Sequence, residues 1–341
     1  MSARSVRQVV LAARPEGRPR PSDFRIEDAP MPEAGERQLL LAVQYLSLDP
    51  YMRGRMSDAK SYAPSTPIGG VMPGEGVGVV LRANHPGYRE GDTVLAPTGW
   101  RTHAVVDADG LRKLDLSRFP AQTALGVLGM PGFTAYSGLR VIGQPKPGET
   151  VAVAAASGPV GSLVGQLAKH WGARAVGIAG GAEKCRYVTE ELGFDTAVDH
   201  RAADFPALLA GACPDGINVY FENVGGPVWQ AVLPLLNPFA RVPVCGLIAQ
   251  YNATEFGHEN LLPATMRAVL TKRLTIRGFI NYDFAAEHHA DFLREVGEGV
   301  ASGRFRYRED IVDGLENAPE AFIGMLDGRN FGKLLIRVQS A

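Results

Sequence analysis

The chain has 341 residues, of which 40 are glycine and 24 proline, and 45% of its residues are hydrophobic. At roughly 150 residues per domain, this length predicts about two domains with buried cores. The 35 basic and 36 acidic side chains give a net charge of −1, which argues against a nucleic-acid-binding protein and a polybasic membrane-surface protein.

The cysteines and the apolar runs indicate the cell compartment. Three cysteines lie far apart in the sequence, which argues against a disulfide framework and favours a reducing environment. The apolar stretch at residues 9–13 is too short for a secretory signal, and no run approaches the roughly 18 apolar residues of a membrane-spanning helix. We expect a cytoplasmic protein without a membrane segment.

The first third of the chain has the pattern of a β domain. Apolar, β-branched runs at 39–46, 76–82, 93–96 and 103–106 are separated by Pro, Gly and Asp. This spacing predicts a small barrel-like β domain at residues 1–126. The tail has a helical stretch at 319–326 and a strand-like run at 333–338, and we expect residues 312–341 to complete this first domain.

A second pattern covers residues 127–311. The continuous apolar run at 151–156 is typical of a strand buried on both faces, and apolar residues between 163 and 171 then recur at helical spacing. Further strand-like runs occur at 175–178, 196–198, 219–221, 242–245 and 274–279. This βαβ alternation predicts an α/β domain with a doubly wound parallel sheet, the Rossmann arrangement.

The turn between the first parallel strand and its helix is rich in glycine. Its residues are Ser157, Gly158, Pro159, Val160 and Gly161. Such glycines let the backbone approach a pyrophosphate whose charge faces the helix N-terminus. The position between strand and helix predicts dinucleotide binding, and the alternative is an ordinary glycine-rich turn.

The end of the second parallel strand indicates which dinucleotide is bound. An enzyme that uses NAD carries an acid there, to bind the ribose hydroxyls, whereas this strand ends in Gly180 and Gly181, with Lys184 shortly after. The missing acid and the nearby lysine favour a 2′-phosphate, and therefore NADP(H). The alternative is that Lys184 is an exposed charge at a helix start. After the third strand, His200 and Arg201 would add positive charge to the same pocket.

The sequence lacks the motifs of several known classes of hydride-transfer enzyme. No tyrosine is followed four residues later by lysine, and Pro73 stands where a zinc alcohol dehydrogenase would carry a ligand beside Glu75. We therefore expect no metal. A metal-free NADPH enzyme suits conjugated carbonyls, because hydride adds at the β-carbon and hydroxyl groups stabilise charge on the carbonyl oxygen. The α-carbon then takes a proton from tyrosine or water.

Five segments resemble a known family over nearly the whole chain: 45–56, 126–136, 222–226, 245–252 and 328–333. By these segments the chain resembles the zinc-independent medium-chain dehydrogenase/reductases, in the leukotriene B4 12-hydroxydehydrogenase/prostaglandin reductase group. The resemblance implies a Rossmann domain with a GroES-like β domain, and NADPH-dependent reduction of the C=C bond in α,β-unsaturated ketones and aldehydes. Curcumin-like diarylheptanoids are the candidate substrates. It also implies a homodimer paired through the strand at 274–279.

The resemblance implies roles for individual residues. Tyr251 would line the cofactor and stabilise the enolate or assist protonation, and Tyr51 and Tyr62 would border the substrate cleft. The turn from Ser157 to Gly161 would hold the pyrophosphate, and Lys184 the 2′-phosphate; His200 stands where many relatives have a tyrosine beside the adenosine. The other cofactor-lining residues would be Asn223, Cys245, Gly246, Ile248, Phe279, Ile280, Asn281 and Asn330.

Each assignment has an alternative. Tyr251 would otherwise anchor a loop or position the ribose, Tyr51 would pack in the core, and Asn223 would fix a turn. Cys245 is more typical of an inert core thiol than of a nucleophile. Two other functions remain open: a quinone reductase with the same cofactor site, and a non-catalytic NADPH-binding protein.

Overall fold

The structure is a computed structural model that describes residues 5–254 and 261–338. The chain forms two compact units, one of residues up to Leu125 together with those from Glu309 onward, the other spanning Gly126–Arg308. The first boundary differs from the expected 126 by one residue. The second lies before Glu309 rather than at 311, because Glu309 begins a strand that pairs within the first unit.

Strands and helices are numbered in chain order. The strands are β1 (Ser5–Leu11), β2 (Phe24–Pro30), β3 (Gln38–Ser47), β4 (Gly76–Ala83), β5 (Thr93–Ala96), β6 (His103–Asp107), β7 (Arg112–Lys113), β8 (Thr150–Ala154), β9 (Arg174–Ala179), β10 (Thr196–Asp199), β11 (Ile217–Phe221), β12 (Leu236–Val244), β13 (Thr275–Gly278), β14 (Glu309–Asp313) and β15 (Lys333–Arg337). The helices are α1 (Tyr51–Arg55), α2 (Met130–Ser137), α3 (Gly161–His170), α4 (Ala182–Arg186), α5 (Phe205–Ala212), α6 (Gly226–Val232), α7 (Leu262–Lys272), α8 (Ala285–Ala301) and α9 (Ala318–Leu326).

The first unit is built on a sheet with the strand order β14-β15-β3-β4-β5-β7, with β6 also paired to β3. All these pairs are antiparallel except β14 with β15. In β3, Leu39, Leu41 and Val43 are fully buried and alternate with partly exposed residues, as expected of a strand with one face on the core. In another core cluster of this unit, the rings of Phe24 and Trp100 stack with 5.8 Å between their centroids. The tail strand β15 pairs with β3, so the tail returns to this unit.

The second unit contains a six-stranded parallel sheet with the order β10-β9-β8-β11-β12-β13. All five residues of β8 are buried, because helices cover both faces of a doubly wound sheet. The order reverses between β8 and β11, which is the switch point where open α/β sheets bind ligands outside the carboxyl ends of the strands. The topology therefore places the candidate dinucleotide turn at this edge.

Some boundaries differ from the sequence prediction. The first parallel strand ends at Ala154 rather than 156, because Ala155 adopts a left-handed conformation with φ of 53° and begins a turn. After β9, the short helix α4 is followed by a wider π-type turn at Tyr187–Glu191. Among the described residues, none of the helices combines the length and apolar character needed to cross a membrane.

Candidate functional site

The glycine turn after β8 forms a cradle at the start of α3. The Ala155 carbonyl accepts a hydrogen bond from the Gly158 N–H at 2.9 Å. A Cβ atom at Gly161 would lie 2.4 Å from that carbonyl oxygen, so a side chain does not fit there. Ser157 is buried, and Pro159 and Val160 are half-buried. The turn opens a ten-residue helix, whose N-terminal amides and dipole suit a pyrophosphate.

The turn after β9 lies against basic side chains that follow β10. The Asp199 Oδ1 accepts hydrogen bonds from the N–H groups of Gly181 and Arg201, both at 2.9 Å. A Cβ atom at Gly180 would lie 2.9 Å from His200 Nε2 and 3.0 Å from Arg201 Nε. The imidazole and the guanidinium therefore lie directly on the turn after β9, and the Asp199 carboxylate connects this turn to the backbone of Arg201.

The charges of this basic pocket act on one another. The pKa of His200 is lowered, first by desolvation, then by Arg201 and in the same direction by Lys184, while Asp199 opposes the shift. The pKa of Asp199 is itself lowered by its two backbone hydrogen bonds. Arg201 and Lys184 therefore both act on His200, and the basic pocket of Lys184, His200 and Arg201 suits an anionic ligand such as a ribose 2′-phosphate.

Glu222, directly after β11, organises the loops at the carboxyl edge of the sheet. Its side chain is buried, and Oε1 accepts hydrogen bonds from Tyr220 Oη at 3.0 Å, Val224 N–H at 2.7 Å and Gly225 N–H at 2.9 Å. Burial raises the pKa of Glu222, and these hydrogen bonds oppose the rise. Its backbone carbonyl accepts the Cys245 N–H at 2.9 Å, so one residue joins the loops that follow β11 and β12.

Asn223 extends this connection to the glycine turn. Its Nδ2 donates to the Ala154 carbonyl at 2.8 Å, and its own carbonyl accepts the Ile248 N–H at 3.2 Å. The Gly246 N–H donates to the Glu222 carbonyl at 3.2 Å. The structure thus brings together Asn223, Cys245, Gly246 and Ile248 beside the end of β8.

Tyr251 lies on the same loop and is half-buried. Its Oη accepts the Leu247 N–H at 3.4 Å, and a Cβ atom at Gly246 would lie 3.1 Å from it. The hydroxyl therefore lies over the backbone of the loop that includes Cys245. Burial, and secondarily Glu222, raises the pKa of the Cys245 thiol to about 12, so this thiol is protonated at neutral pH and is a poor nucleophile.

The segment after β13 is mostly core. The Phe279 ring is buried and packs edge-on against Phe221 at 6.2 Å between centroids. Asn281 is also buried and its Nδ2 donates to the Met130 carbonyl at 3.4 Å, whereas Ile280 is half-buried. Because the ring of Phe279 is used for packing, a cofactor contact at this position would involve its backbone.

In the first unit, the two candidate substrate tyrosines flank one arginine. The Arg55 guanidinium carbon lies 5.7 Å from the ring centroid of Tyr51 and 4.5 Å from that of Tyr62. Tyr51 is half-buried, whereas Tyr62 is 63% exposed. Arg55 is buried and donates to the Ala63 carbonyl at 3.1 Å. Arg55 therefore holds the two rings in one aromatic group through cation–π contacts.

Asn330 lies elsewhere in the first unit, just before β15. Its Nδ2 donates to the Gly332 carbonyl at 2.8 Å, which shapes the turn. Beyond this turn, the Lys333 Nζ lies 2.6 Å from Asp49 Oδ1, and both side chains are almost fully buried. Nearby, burial and secondarily Asp49 raise the pKa of Glu75 to about 7, against the opposing charges of Lys333 and Arg112.

Sequence reasoning gave no role to Asp199, Glu222 or Lys333. The two acids share a recognisable pattern, since each stands at or directly after the end of a parallel strand, where backbone N–H groups of the next turn are available. Lys333 carries no comparable pattern. Within residues 5–254 and 261–338, no group of three or more His, Cys, Asp or Glu side chains is placed to hold a metal ion.

Two family models match the chain. One is described as the N-terminal domain of oxidoreductase and matches residues 7–114, and the other is described as zinc-binding dehydrogenase and matches residues 159–296. Together with the sheet topologies above, they define a medium-chain dehydrogenase/reductase. The chain belongs to the zinc-independent members of this family, in the group that includes the prostaglandin reductases. The predicted fold class, a Rossmann sheet with a GroES-like β domain, is confirmed.

Individual relatives are similar over nearly their full lengths. The chain is 56% identical to the NADPH-dependent curcumin reductase of Escherichia coli (strain K12), across 97% of this chain and 96% of the relative. It is 39% identical to the NADP(+)-dependent 2-alkenal reductase of Nicotiana tabacum, across 98% of each chain. The crystal structure of CurA from Vibrio vulnificus in complex with NADPH superposes with a TM-score of 0.95 at 49% identity, covering 98% of this chain and 100% of that one.

Proposed function

We propose that this protein is an NADPH-dependent reductase of the C=C bond in α,β-unsaturated ketones and aldehydes. The observation that carries the proposal is the 56% identity to a curcumin reductase across 97% of the chain. The glycine cradle at Gly161 and the basic pocket at Lys184 support the choice of cofactor. The net reaction adds hydride to the β-carbon and a proton to the α-carbon.

The residues that would hold NADPH lie along the carboxyl edge of the parallel sheet. The turn from Ser157 to Gly161 would bind the pyrophosphate through backbone N–H groups, and Lys184, His200 and Arg201 would bind the 2′-phosphate. The loops organised by Glu222 would line the remainder of the cofactor, with Asn223 at their centre. NADPH, when bound, supplies the hydride.

Tyr251 is the proposed catalytic residue. We assign its hydroxyl to donate a hydrogen bond to the substrate carbonyl oxygen, where negative charge accumulates when hydride reaches the β-carbon. The same hydroxyl, or water, then delivers the proton to the α-carbon. In its contact with the Leu247 N–H, the Tyr251 oxygen accepts the hydrogen bond through a lone pair.

The aromatic group of Tyr51, Tyr62 and Arg55 supports a preference for substrates with aryl rings. Aromatic rings and a planar guanidinium offer flat apolar surfaces, on which an aryl group can stack. We therefore propose curcumin-like diarylheptanoids as a substrate class, with Tyr51 and Tyr62 in contact with the substrate. Small aliphatic enones lack this contact and should be reduced with a higher KM.

The test is the loss of NADPH absorbance in stopped-flow experiments with an aryl enone, with a quinone and without acceptor. We expect turnover with the enone and none without acceptor. Reduction of the quinone alone would replace the proposal with a quinone reductase. If neither the enone nor the quinone causes a loss of NADPH absorbance, and the protein still binds NADPH in a fluorescence titration, it is a non-catalytic binding protein.

We also propose that two copies of the chain pair through β13. All four residues of this edge strand are exposed, and an unpaired edge is a template for another strand. On the neighbouring α7, Leu262, Met266 and Leu270 repeat every four residues and are 63%, 56% and 77% exposed, which is a large apolar stripe for a surface helix. Leu270→Glu should convert the dimer to a monomer in light scattering; an unchanged mass would reject this surface.

The cytoplasm is the proposed location. Cys185, Cys213 and Cys245 are all free thiols, which suits a reducing compartment. Fractionation of cells that express the tagged protein should place it with soluble cytoplasmic markers. Recovery in a secreted fraction would reject the location without affecting the proposed chemistry.

A further inference from the structure

A buried ion pair lies in the first unit, at the end of the strand pair β3 and β15. Lys333 Nζ lies 2.6 Å from Asp49 Oδ1, and the two side chains are 3% and 6% exposed. Nζ also donates to the Leu48 carbonyl at 2.9 Å, and Ser47 Oγ donates to the second carboxylate oxygen of Asp49. Both carboxylate oxygens therefore have partners, as a buried charge requires.

The ion pair continues the register of the antiparallel strands. Leu335 of β15 pairs with Ser47 of β3, and two further residues along each strand bring Lys333 opposite Asp49. Between them, the Leu48 N–H donates to the Leu334 carbonyl at 3.3 Å. The charged pair therefore lies just beyond the last residue pairs of β3 with β15.

Each member of the pair adjoins a segment with a proposed site residue. The Asp49 carbonyl accepts the Met52 N–H at 3.1 Å, so Asp49 begins the turn of α1 that carries Tyr51. Lys333 directly follows the turn in which Asn330 Nδ2 donates to the Gly332 carbonyl. The ion pair is thus a side-chain connection between the Tyr51 helix and the Asn330 turn.

Stability alone does not explain a buried ion pair. Removing two charges from water costs several kcal/mol per ion, and well-packed apolar residues of similar volume are often as stable. A charged pair with directed hydrogen bonds instead fixes one arrangement of its neighbours, because few other arrangements satisfy both charges. This favours a role in geometry for Lys333.

We propose that Lys333 is a positioning residue, whose ion pair with Asp49 holds the Tyr51 helix and the Asn330 turn in the arrangement that the reaction requires. The proposal rests on the proposed function for the role of Tyr51, and on the cofactor contact that the family resemblance implies for Asn330. It does not depend on that function for the physical claim that the ion pair orders both segments.

The test uses the full chain with four changes: Lys333→Met, Lys333→Arg, Asp49→Asn, and Asp49→Asn combined with Lys333→Met. Lys113→Met is the matched control, since Lys113 forms an ion pair with Asp92 in the same unit at 2.7 Å but is 48% exposed. Two quantities are measured: kcat/KM for an aryl enone, and hydrogen exchange of peptides covering 45–56 and 328–335. A peptide covering 93–106 serves as the internal reference.

We expect each Met or Asn variant to lose ~10- to 100-fold in kcat/KM, as expected for misplaced site residues, and the double variant to lose no more than the worse single variant. Exchange should rise in both peptides and stay constant in the reference peptide. Lys333→Arg keeps the charge and should recover part of kcat/KM. The Lys113→Met control should match the wild type in both measurements.

Two results would overturn the proposal: wild-type exchange in both peptides of the folded double variant, or faster exchange with unchanged kcat/KM. If Lys333→Met fails to fold, the double variant decides, because it leaves no unpaired charge. A wild-type protein that reduces no enone would refute the proposed function instead, and the exchange data would still decide whether the ion pair orders both segments.

Discussion

The two units hold carboxylates in different ways. In the parallel-sheet unit, Glu222 and Asp199 accept hydrogen bonds from backbone N–H groups of the turns that follow β11 and β9. In the other unit, Asp49 is neutralised by the side chain of Lys333. A carboxylate held by backbone amides dictates the conformation of its loop, whereas an ion pair links two segments that are distant in sequence. The difference predicts which of these groups an apolar residue can replace.

The largest expected effect comes from breaking the ion pair on one side only. Lys333→Met leaves the Asp49 charge buried and unpaired, and we expect a loss of about 3–5 kcal/mol in the free energy of unfolding. Replacing both residues, as Asp49→Leu with Lys333→Met, should recover most of this loss. Urea denaturation of both variants measures the difference. A double variant as unstable as Lys333→Met alone would mean that the charges themselves are indispensable for folding.

The parallel-sheet unit should respond differently when Glu222 is made apolar. Glu222→Leu leaves the N–H groups of Val224 and Gly225 without their acceptor, which should cost about 2–3 kcal/mol of stability and raise the KM for NADPH. Glu222→Gln is the matched control, because it keeps an acceptor oxygen in place. If Leu and Gln behave alike in denaturation and in KM, the backbone hydrogen bonds do not hold the loop.

The tyrosines of the two units should also differ. Tyr251→Phe removes the proposed donor to the carbonyl oxygen, and kcat should fall ~100-fold, as when one oxyanion donor is removed. Tyr51→Phe keeps the ring that contacts the substrate and should change kcat much less. Steady-state kinetics with an aryl enone compares the two variants. A kcat for Tyr251→Phe equal to the wild-type value would assign the hydroxyl to loop structure alone.

In the antiparallel unit, the titration of Glu75 should make the free energy of unfolding depend on pH. Its folded pKa of about 7 lies above the ordinary 4.5, so the folded protein binds this proton more tightly than the unfolded chain. Its contribution to stability therefore falls as the pH rises from 4.5 to about 7, and the penalty is complete above that range. Glu75→Gln should raise the free energy of unfolding by about 1–2 kcal/mol at pH 8, allowing for partial solvent access, and by almost nothing at pH 4. An equal gain at both pH values would exclude titration as the cause.

The smallest effect is expected in the basic pocket of the parallel-sheet unit. Lys184→Ala and Arg201→Ala should each raise the KM for NADPH by roughly tenfold, the loss of about 1.4 kcal/mol for one charge-assisted contact. The KM for NADH should change little, because NADH lacks the 2′-phosphate. Lys146→Ala, at an exposed lysine of the same unit, is the control. Equal changes for both cofactors would remove these residues from the phosphate pocket.

The fold of the parallel-sheet unit could be predicted from the sequence better than the fold of the antiparallel unit. Continuous apolar runs and a glycine turn identified β8 and α3, because strands buried on both faces have an unambiguous pattern. The hairpin of β1 and β2 was missed because β2 is mostly exposed and contains Arg25, Glu27 and Asp28. Its amino acids lack the apolar alternation on which the prediction depends.

In the candidate site, too, only the residues with a local sequence pattern could be recognised from the sequence. The sequence makes the glycine turn and Lys184 candidates, because each lies at a fixed distance from a strand end. It does not predict the contact of Arg55 with Tyr51 and Tyr62 or the ion pair of Lys333 with Asp49. The ion pair joins residues that are 284 positions apart, and only the register of β15 on β3 places them together. No local pattern contains that register.

The return of β15 to β3 has a consequence for biosynthesis. Residues 126–308 form an uninterrupted unit that can fold as soon as it leaves the ribosome. The first unit, although most of it is made earlier, lacks β15, which lies between β14 and β3 in its sheet, until residues 333–337 are synthesised. Until then, we expect one edge of β3 to be uncovered in the nascent N-terminal third. A chaperone that binds there would protect this edge.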